Sequence, residues 1–261
     1  MNIDFTLGKY RELCEALQES YTTCTVNEYL TTHRSSDQNH LEDSNCNVAI
    51  LRHDVDRKIG NALRMAQLEH HLGVQASYYF RYPYTFNPEI ITIIQSLGHE
   101  VGYHYETLSK ARGNVRQALA LFKEELAAFR SICEVNTICM HGSPLSRYDN
   151  RDLWKHADLK EFGLLGEAYL SIDGHRLSYF TDTGRNWNGT NSVRDMLPGA
   201  ECNAHAETTD DLIGLLRGRE VDCLYLTVHP ERWAVSEREW ALGYMTDLVV
   251  NAGKTFLVAM R

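Results

Sequence analysis

The stretch Ile50-Leu51-Arg52-His53-Asp54-Val55-Asp56-Arg57 decides how this chain folds. An apolar run, Val48 to Leu51, leads straight into two acids, and a helix-like segment follows at 59–72. Residues two apart on a strand point to the same face, about 7 Å apart along the chain. Arg52, Asp54 and Asp56 therefore share one face, opposite Leu51 and Val55. Two carboxylates placed this way repel each other unless a cation or a proton sits between them. A buried strand that ends in such a pair reads as the rim of a site, although Asp56 would also suit the cap of the next helix.

Working outward, strands and helices alternate. Strand patterns fall at 48–54, 75–81, 99–105, 137–141, 225–229 and 255–259. Helical spacing runs over 7–20, 59–72, 87–97, 114–132, 208–217 and 236–252. Asn87-Pro88-Glu89 has the form of a helix start, and Gly73 and Gly98 have the form of helix stops. This alternation implies a mainly parallel sheet, open or closed as a barrel. The polar segment 31–46 reads as a surface loop, and 142–200, rich in Gly, Asn, Asp and aromatics, as long functional loops. The 261 residues fit a single catalytic domain with an N-terminal helical extension over about residues 1–46.

Composition narrows the function. A formal net charge of −9 disfavours nucleic acid and anionic membrane as partners, because both need a basic face. No run of eighteen apolar residues occurs, and Met1-Asn2-Ile3-Asp4 lacks the basic and apolar regions of a secretory signal, so the expectation is a cytoplasmic protein. The seven cysteines form no Cys-x-x-Cys pair, which fits reduced thiols with no role as ligand or nucleophile. Oligomeric state is not legible.

Dividing each strand into its two faces exposes a rule. Arg52, Asp54 and Asp56 lie on the less apolar face of the first strand, as does Arg81 of the second. Glu100, Gly102, His104 and Glu106 lie on that face of the third, Cys139 and His141 on that of the fourth, and Thr227 and His229 on that of the fifth. Five strands thus each carry an ionisable group at the carboxyl end, where α/β barrels and open sheets place their sites. A lone histidine of this kind is usually a core residue; three histidines with two aspartates and an arginine are not. His53 falls on the opposite face and reads as a core residue, as does His99 at a strand start. Without a Ser or Cys nucleophile elbow, the set suits a divalent metal that acidifies a water, flanked by a base and an acid.

Three motifs give this pattern a family likeness: Leu51-Arg52-His53-Asp54-Val55-Asp56-Arg57, Gly98-His99-Glu100-Val101-Gly102-Tyr103-His104 and Leu226-Thr227-Val228-His229-Pro230. In order and spacing the chain resembles the polysaccharide deacetylases of carbohydrate esterase family 4, more narrowly their His-Asp-Val-Asp-bearing branch. The resemblance implies a distorted (β/α) barrel of about seven parallel strands and metal-dependent N-deacetylation of an acetylamino sugar. It implies Asp54 as base, Asp56 and His104 as metal ligands and His229 as general acid, with a divalent ion, zinc first among them.

Two departures stand out. Position 108, where the family has a further ligand histidine, is Leu, and the family's Arg-Pro-rich third motif is replaced by Cys139-Met140-His141-Gly142-Ser143-Pro144-Leu145-Ser146-Arg147. The expectation is that His141 supplies the missing ligand, with Glu106 in reserve, and that Arg81 or Arg147 orients Asp54 or the substrate. Arg81, Glu106, Arg147 and Trp187 are the expected substrate contacts, Trp187 as a stacking platform because its neighbours are loop formers. The substrate expected is a small or sugar-linked N-acyl compound; a non-sugar amide, or a binding protein of this fold without turnover, are the alternatives.

Overall fold

The computed structural model describes residues 3–35, 47–142, 146–187, 195–200 and 204–247. Its frame is a parallel sheet of eight strands. In chain order these are β1 (Thr22–Cys24), β2 (Val48–Val55), β3 (Ser77–Phe80), β4 (Glu100–Tyr105), β5 (Thr137–Met140), β6 (Gly166–Glu167), β7 (Ser178–Thr181) and β8 (Cys223–Val228). Seven of them run in the order β6-β5-β4-β3-β2-β8-β7, a curled half-barrel. The short β1 pairs with Val48 to Ile50 of β2, ahead of the stretch of β2 that pairs with β3. The seven-stranded distorted barrel expected from the resemblance is therefore present.

Helices among the described residues flank the sheet: α1 (Leu7–Ser20), α2 (Val26–Ser35), α3 (Ile59–Leu72), α4 (Pro88–Ser96), α5 (Thr107–Lys110), α6 (Val115–Arg130) and α7 (Thr209–Gly218). Their ends follow local chemistry. Asn87 accepts a hydrogen bond from Ile90 N with Pro88 in the first turn of α4, and Thr208 and Asp211 form a reciprocal cap on α7. Helix α3 stops at Gly73, whose φ of 72° is left-handed and costs glycine little. Residues 237–247 are also helical.

The outer face of the sheet is largely apolar, with buried polar clusters set into it, among them one around Glu69. Glu69 of α3 accepts from Tyr10 and Tyr78 and meets His53 Nε2 at 2.7 Å, while His53 stacks on Tyr78 at 4.2 Å. His53 and His99 are core residues. The inner face is narrow and polar. Tyr79 crosses it to reach Thr137 Oγ1 at 2.7 Å, and only a glycine at 102 leaves room, since a Cβ there would lie 2.2 Å from the Tyr79 ring. No hydrogen bonds join β6 to β7 among the described residues; side chains bridge that seam. Tyr169 and Tyr179 both donate to Asp195 Oδ1 at 2.5 Å, and Tyr225 donates to the Ala168 carbonyl at 3.0 Å.

Several expectations of local structure need correction. Residues 31–35 extend α2 and are not loop, and the described residues of 142–200 hold β6, β7 and three 3₁₀ turns. Strands of two to four residues are too short to show an alternation that stands out from loop. The expected strand at 255–259 and the rest of segment 31–46 lie outside the described residues.

Candidate active site

The carboxyl ends of β2, β4 and β5 converge on Asp56. His104 Nε2 and His141 Nε2 each lie 3.4 Å from Asp56 Oδ1, and the two imidazole rings are perpendicular within about 11°, at an interplanar angle of 79°. Both rings are held from behind. His104 Nδ1 is 3.0 Å from the Cys139 carbonyl, and His141 Nδ1 is 3.0 Å from Glu106 Oε2. A carbonyl and a carboxylate are acceptors only, so each Nδ1 carries a proton, and each Nε2, once it gives up any proton of its own, is free to offer a lone pair to a cation beside Asp56. Asp56 Oδ1 is itself buried with no hydrogen-bond partner among the described residues.

Burial opposes ionisation of Asp56, but the charge of His141 and the nearness of both imidazoles, each 3.4 Å away, hold it well below the usual carboxylate range. Burial also works against a charged His141; the Asp56 carboxylate and the bond to Glu106 push it up to about 9. Glu106 is held at about 2, because the His141 bond and charge and the Arg81 guanidinium outweigh its burial.

Asp54 sits deeper and is gripped by its own strand neighbour. Arg52 Nη2 donates to Asp54 Oδ2 at 3.0 Å, and Arg52 Nε lies 3.0 Å from Oδ1. The same guanidinium donates to Tyr225 at 3.1 Å and Tyr169 at 2.5 Å and reaches Asp195 Oδ1 at 3.4 Å. It is fully buried, so these acceptors are what allow a charge there. Cys139 Sγ faces Asp54 at 3.7 Å.

His229 closes the site from β8. Its Nδ1 lies 2.6 Å from Asp182 Oδ1, while Asp182 Oδ2 accepts from the His229 amide and from Trp233 Nε1, each at 2.9 Å. Asp182 was not anticipated. It follows β7 directly, but its parity is that of outward-facing Phe180, and the face rule sends it away from the site. The chain leaves the strand there, with the Asp182 amide bonded to the Thr227 carbonyl, and the carboxylate turns in. The usable signal was the run Ser178-Tyr179-Phe180-Thr181-Asp182, one more strand pattern ending in an acid.

Four other expected residues fall as follows. Arg81 chelates Glu106 at 2.9 and 3.1 Å, so both act behind His141 and neither touches Asp54. Glu106 is thus a partner of a ligand candidate and not a ligand in reserve. Arg147 is exposed and lies over its neighbour Tyr148, away from Asp54, whose partner is Arg52. Trp187 is no platform. It is 1 % exposed, packed with Phe5 and Trp233, and its Nε1 donates to Thr209; loop-forming neighbours do not keep an indole out of the core.

Two donor sets could take a cation. Asp54, His104 and Cys139 offer atoms within 4.8 Å of one another. There, however, burial pushes the Cys139 thiol well above its usual range, so it keeps its proton, and a cation would sit beside the Arg52 guanidinium. The set Asp56, His104 and His141 has no arginine against its carboxylate among the described residues, two rings already aimed, and an orphaned carboxylate oxygen. One carboxylate and two imidazoles are a donor set that could hold a divalent ion.

No family model matches this chain, and no curated protein does. Among solved structures, it is similar to a family 4 carbohydrate esterase from Bacillus anthracis, with 17% identity over 78% of this chain and 76% of that one and a TM-score of 0.38. It is also similar to a family 4 pseudoenzyme from the same organism, with 14% identity, 79% of this chain, 60% of that chain and a TM-score of 0.41. A mutant of a family 4 pseudoenzyme with restored activity gives 14% identity, 79% and 63% coverage and a TM-score of 0.41.

Proposed function

We propose that this chain is a metal-dependent hydrolase of a carbon–nitrogen amide bond, acting as an N-deacetylase on a small or sugar-linked acetylamino compound. The observation that carries the reading is the orphaned Asp56 Oδ1 between two imidazole nitrogens at 3.4 Å, with a carboxylate and a histidine–aspartate pair beside it. Asp56, His104 and His141 would hold the ion, zinc first among the candidates. When bound, such an ion supplies Lewis acidity to the acyl oxygen and to an attacking water.

The chain's own groups supply the proton traffic. Asp54, fixed by Arg52, accepts the proton of the water that adds to the acyl carbon. As the C–N bond breaks, His229 gives its proton to the departing nitrogen, leaving an acetate and an amine. Asp182 keeps the His229 ring oriented, and burial and the nearby Arg232 charge are outweighed by Asp182, so His229 is pushed up to about 8 and is protonated at neutral pH. Acetate release from a panel of acetylamino sugars, measured with the metal content of the same preparation, tests the reading. Metal-dependent release supports it; bound sugar without release would make the chain a binding protein.

A further inference from the structure

Asp182 does not serve His229 alone. Arg232 Nη1 donates to Asp182 Oδ1 at 2.7 Å, the same oxygen that His229 Nδ1 meets at 2.6 Å, and lies 3.1 Å from that Nδ1. The other oxygen, Oδ2, is taken by the His229 amide and the Trp233 indole. The carboxylate is fully buried, and three of its four contacts do not involve Arg232.

We propose that Arg232 is a positioning residue that sets the proton affinity of His229 by sharing Asp182 with it. This rests on the reading of His229 as the acid. A buried aspartate bonded to an imidazole alone stabilises the imidazolium, which then holds its proton too firmly to be a good acid at neutral pH. A fixed guanidinium on the same oxygen cancels part of that charge, and at 3.1 Å it also repels the proton on Nδ1 directly. The charged groups facing His229 among the described residues are Asp182 at the end of β7, Arg232 and Glu231 in the turn after β8, and Asp195 in the segment 195–200. Arg232 is the one cation among them. Burial and Arg232 pull the proton affinity down, and the Asp182 charge and bond and Asp195 pull it up, leaving it near 8. Arg232 is three positions after His229, at the end of the 3₁₀ turn Pro230–Arg232, which brings the guanidinium back to the imidazole.

The test is an NMR titration of the His229 imidazole in the full chain, with no substrate present. In Arg232→Met the midpoint should rise by about one pH unit or more, the size expected from removing a charge at hydrogen-bond range. Arg232→Lys should return most of the shift. An unchanged or lower midpoint in folded Arg232→Met would overturn the proposal. If the methionine variant does not fold, Arg232→Gln, which can still bond Asp182 but carries no charge, decides by the same criterion. The titration needs no turnover, so the outcome stands apart from the deacetylase reading. An active enzyme without the shift sinks this inference alone, and an inactive chain with the shift leaves it intact. In an active enzyme, the alkaline limb of amide hydrolysis should move up together with the midpoint.

Discussion

His141 Nε2 lies 3.4 Å from Asp56 Oδ1, although β5 and β2, which carry them, are separated in the sheet by β3 and β4. Only a strongly curled sheet brings such strand ends together. The same curl puts Cys139 Sγ 3.7 Å from Asp54 lower in the barrel. The curl therefore brings His141, at the end of β5, within reach of Asp56 across two intervening strands.

If His141 is the third ligand, His141→Ala should lose at least most of its bound metal, because Asp56 and His104 alone fall short of the three protein ligands usual at catalytic zinc. Glu106→Gln, which keeps the shape but weakens the grip on Nδ1, should weaken metal affinity by about 10–100-fold. Metal analysis after dialysis against a buffered zinc series reads both. Tight binding by His141→Ala would place the ion elsewhere, Asp54, His104 and Cys139 being the next set.

Asp54→Asn should keep the metal and lower turnover by about 10²–10⁴-fold, the usual weight of a general base. The asparagine still accepts from Arg52, so the barrel interior survives. Metal loss in Asp54→Asn, with Asp56→Asn still loaded, would mean that the two aspartates have exchanged roles.

The position of this site was legible because strand parity holds wherever the strands are long. Arg52, Asp54, His104 and Cys139 all point inward as alternation requires, and His53 points outward into its glutamate. What parity could not reach lies past the strand ends. Asp182 turns inward against its parity once the chain leaves β7. Trp187 looked like a loop aromatic because its neighbours are Asn and Gly, yet Phe5 and Trp233 enclose it, a contact between residues far apart in sequence. The partner of Asp54 is Arg52, two residues away on the same strand, and not Arg81 or Arg147, since a strand places i and i+2 side by side.

Trp187 gives a direct check on that correction. Trp187→Ala should cost about 3–5 kcal/mol of folding stability, as truncation of a buried aromatic does, and leave KM for any sugar unchanged in the folded fraction. A raised KM with unchanged denaturant midpoint would restore it to the substrate site.

His229 predicts a pH dependence with a definite sign. The acid must be protonated to act, and its proton is held up to about 8, so amide hydrolysis should fall as pH rises through about 8. An activated ester, whose leaving group needs no proton, should lack that limb. The same alkaline limb with both substrates would assign it to another group.

Glu69 separates stability from catalysis. It is fully buried, and burial opposes its charge, but the charge and bond of His53, the charge of His99 and the bond of Tyr10 hold its carboxyl below the usual range. A depressed folded value means that its contribution is fully present above the unfolded value of about 4.3 and is lost as pH falls through the folded one. Glu69→Gln leaves two imidazoles and two phenols around a neutral amide, and breaking a buried charged group of this kind typically costs about 3–5 kcal/mol. Urea unfolding at pH 7 should show that loss, and the gap between the two proteins should narrow as pH falls below about 4.3. Turnover per folded molecule should not change, because the cluster lies on the outer face of the sheet, behind β2. A Glu69→Gln protein as stable as the parent at pH 7, or one that is stable but inactive, would show that the cluster does something other than hold α1 and α3 to the barrel.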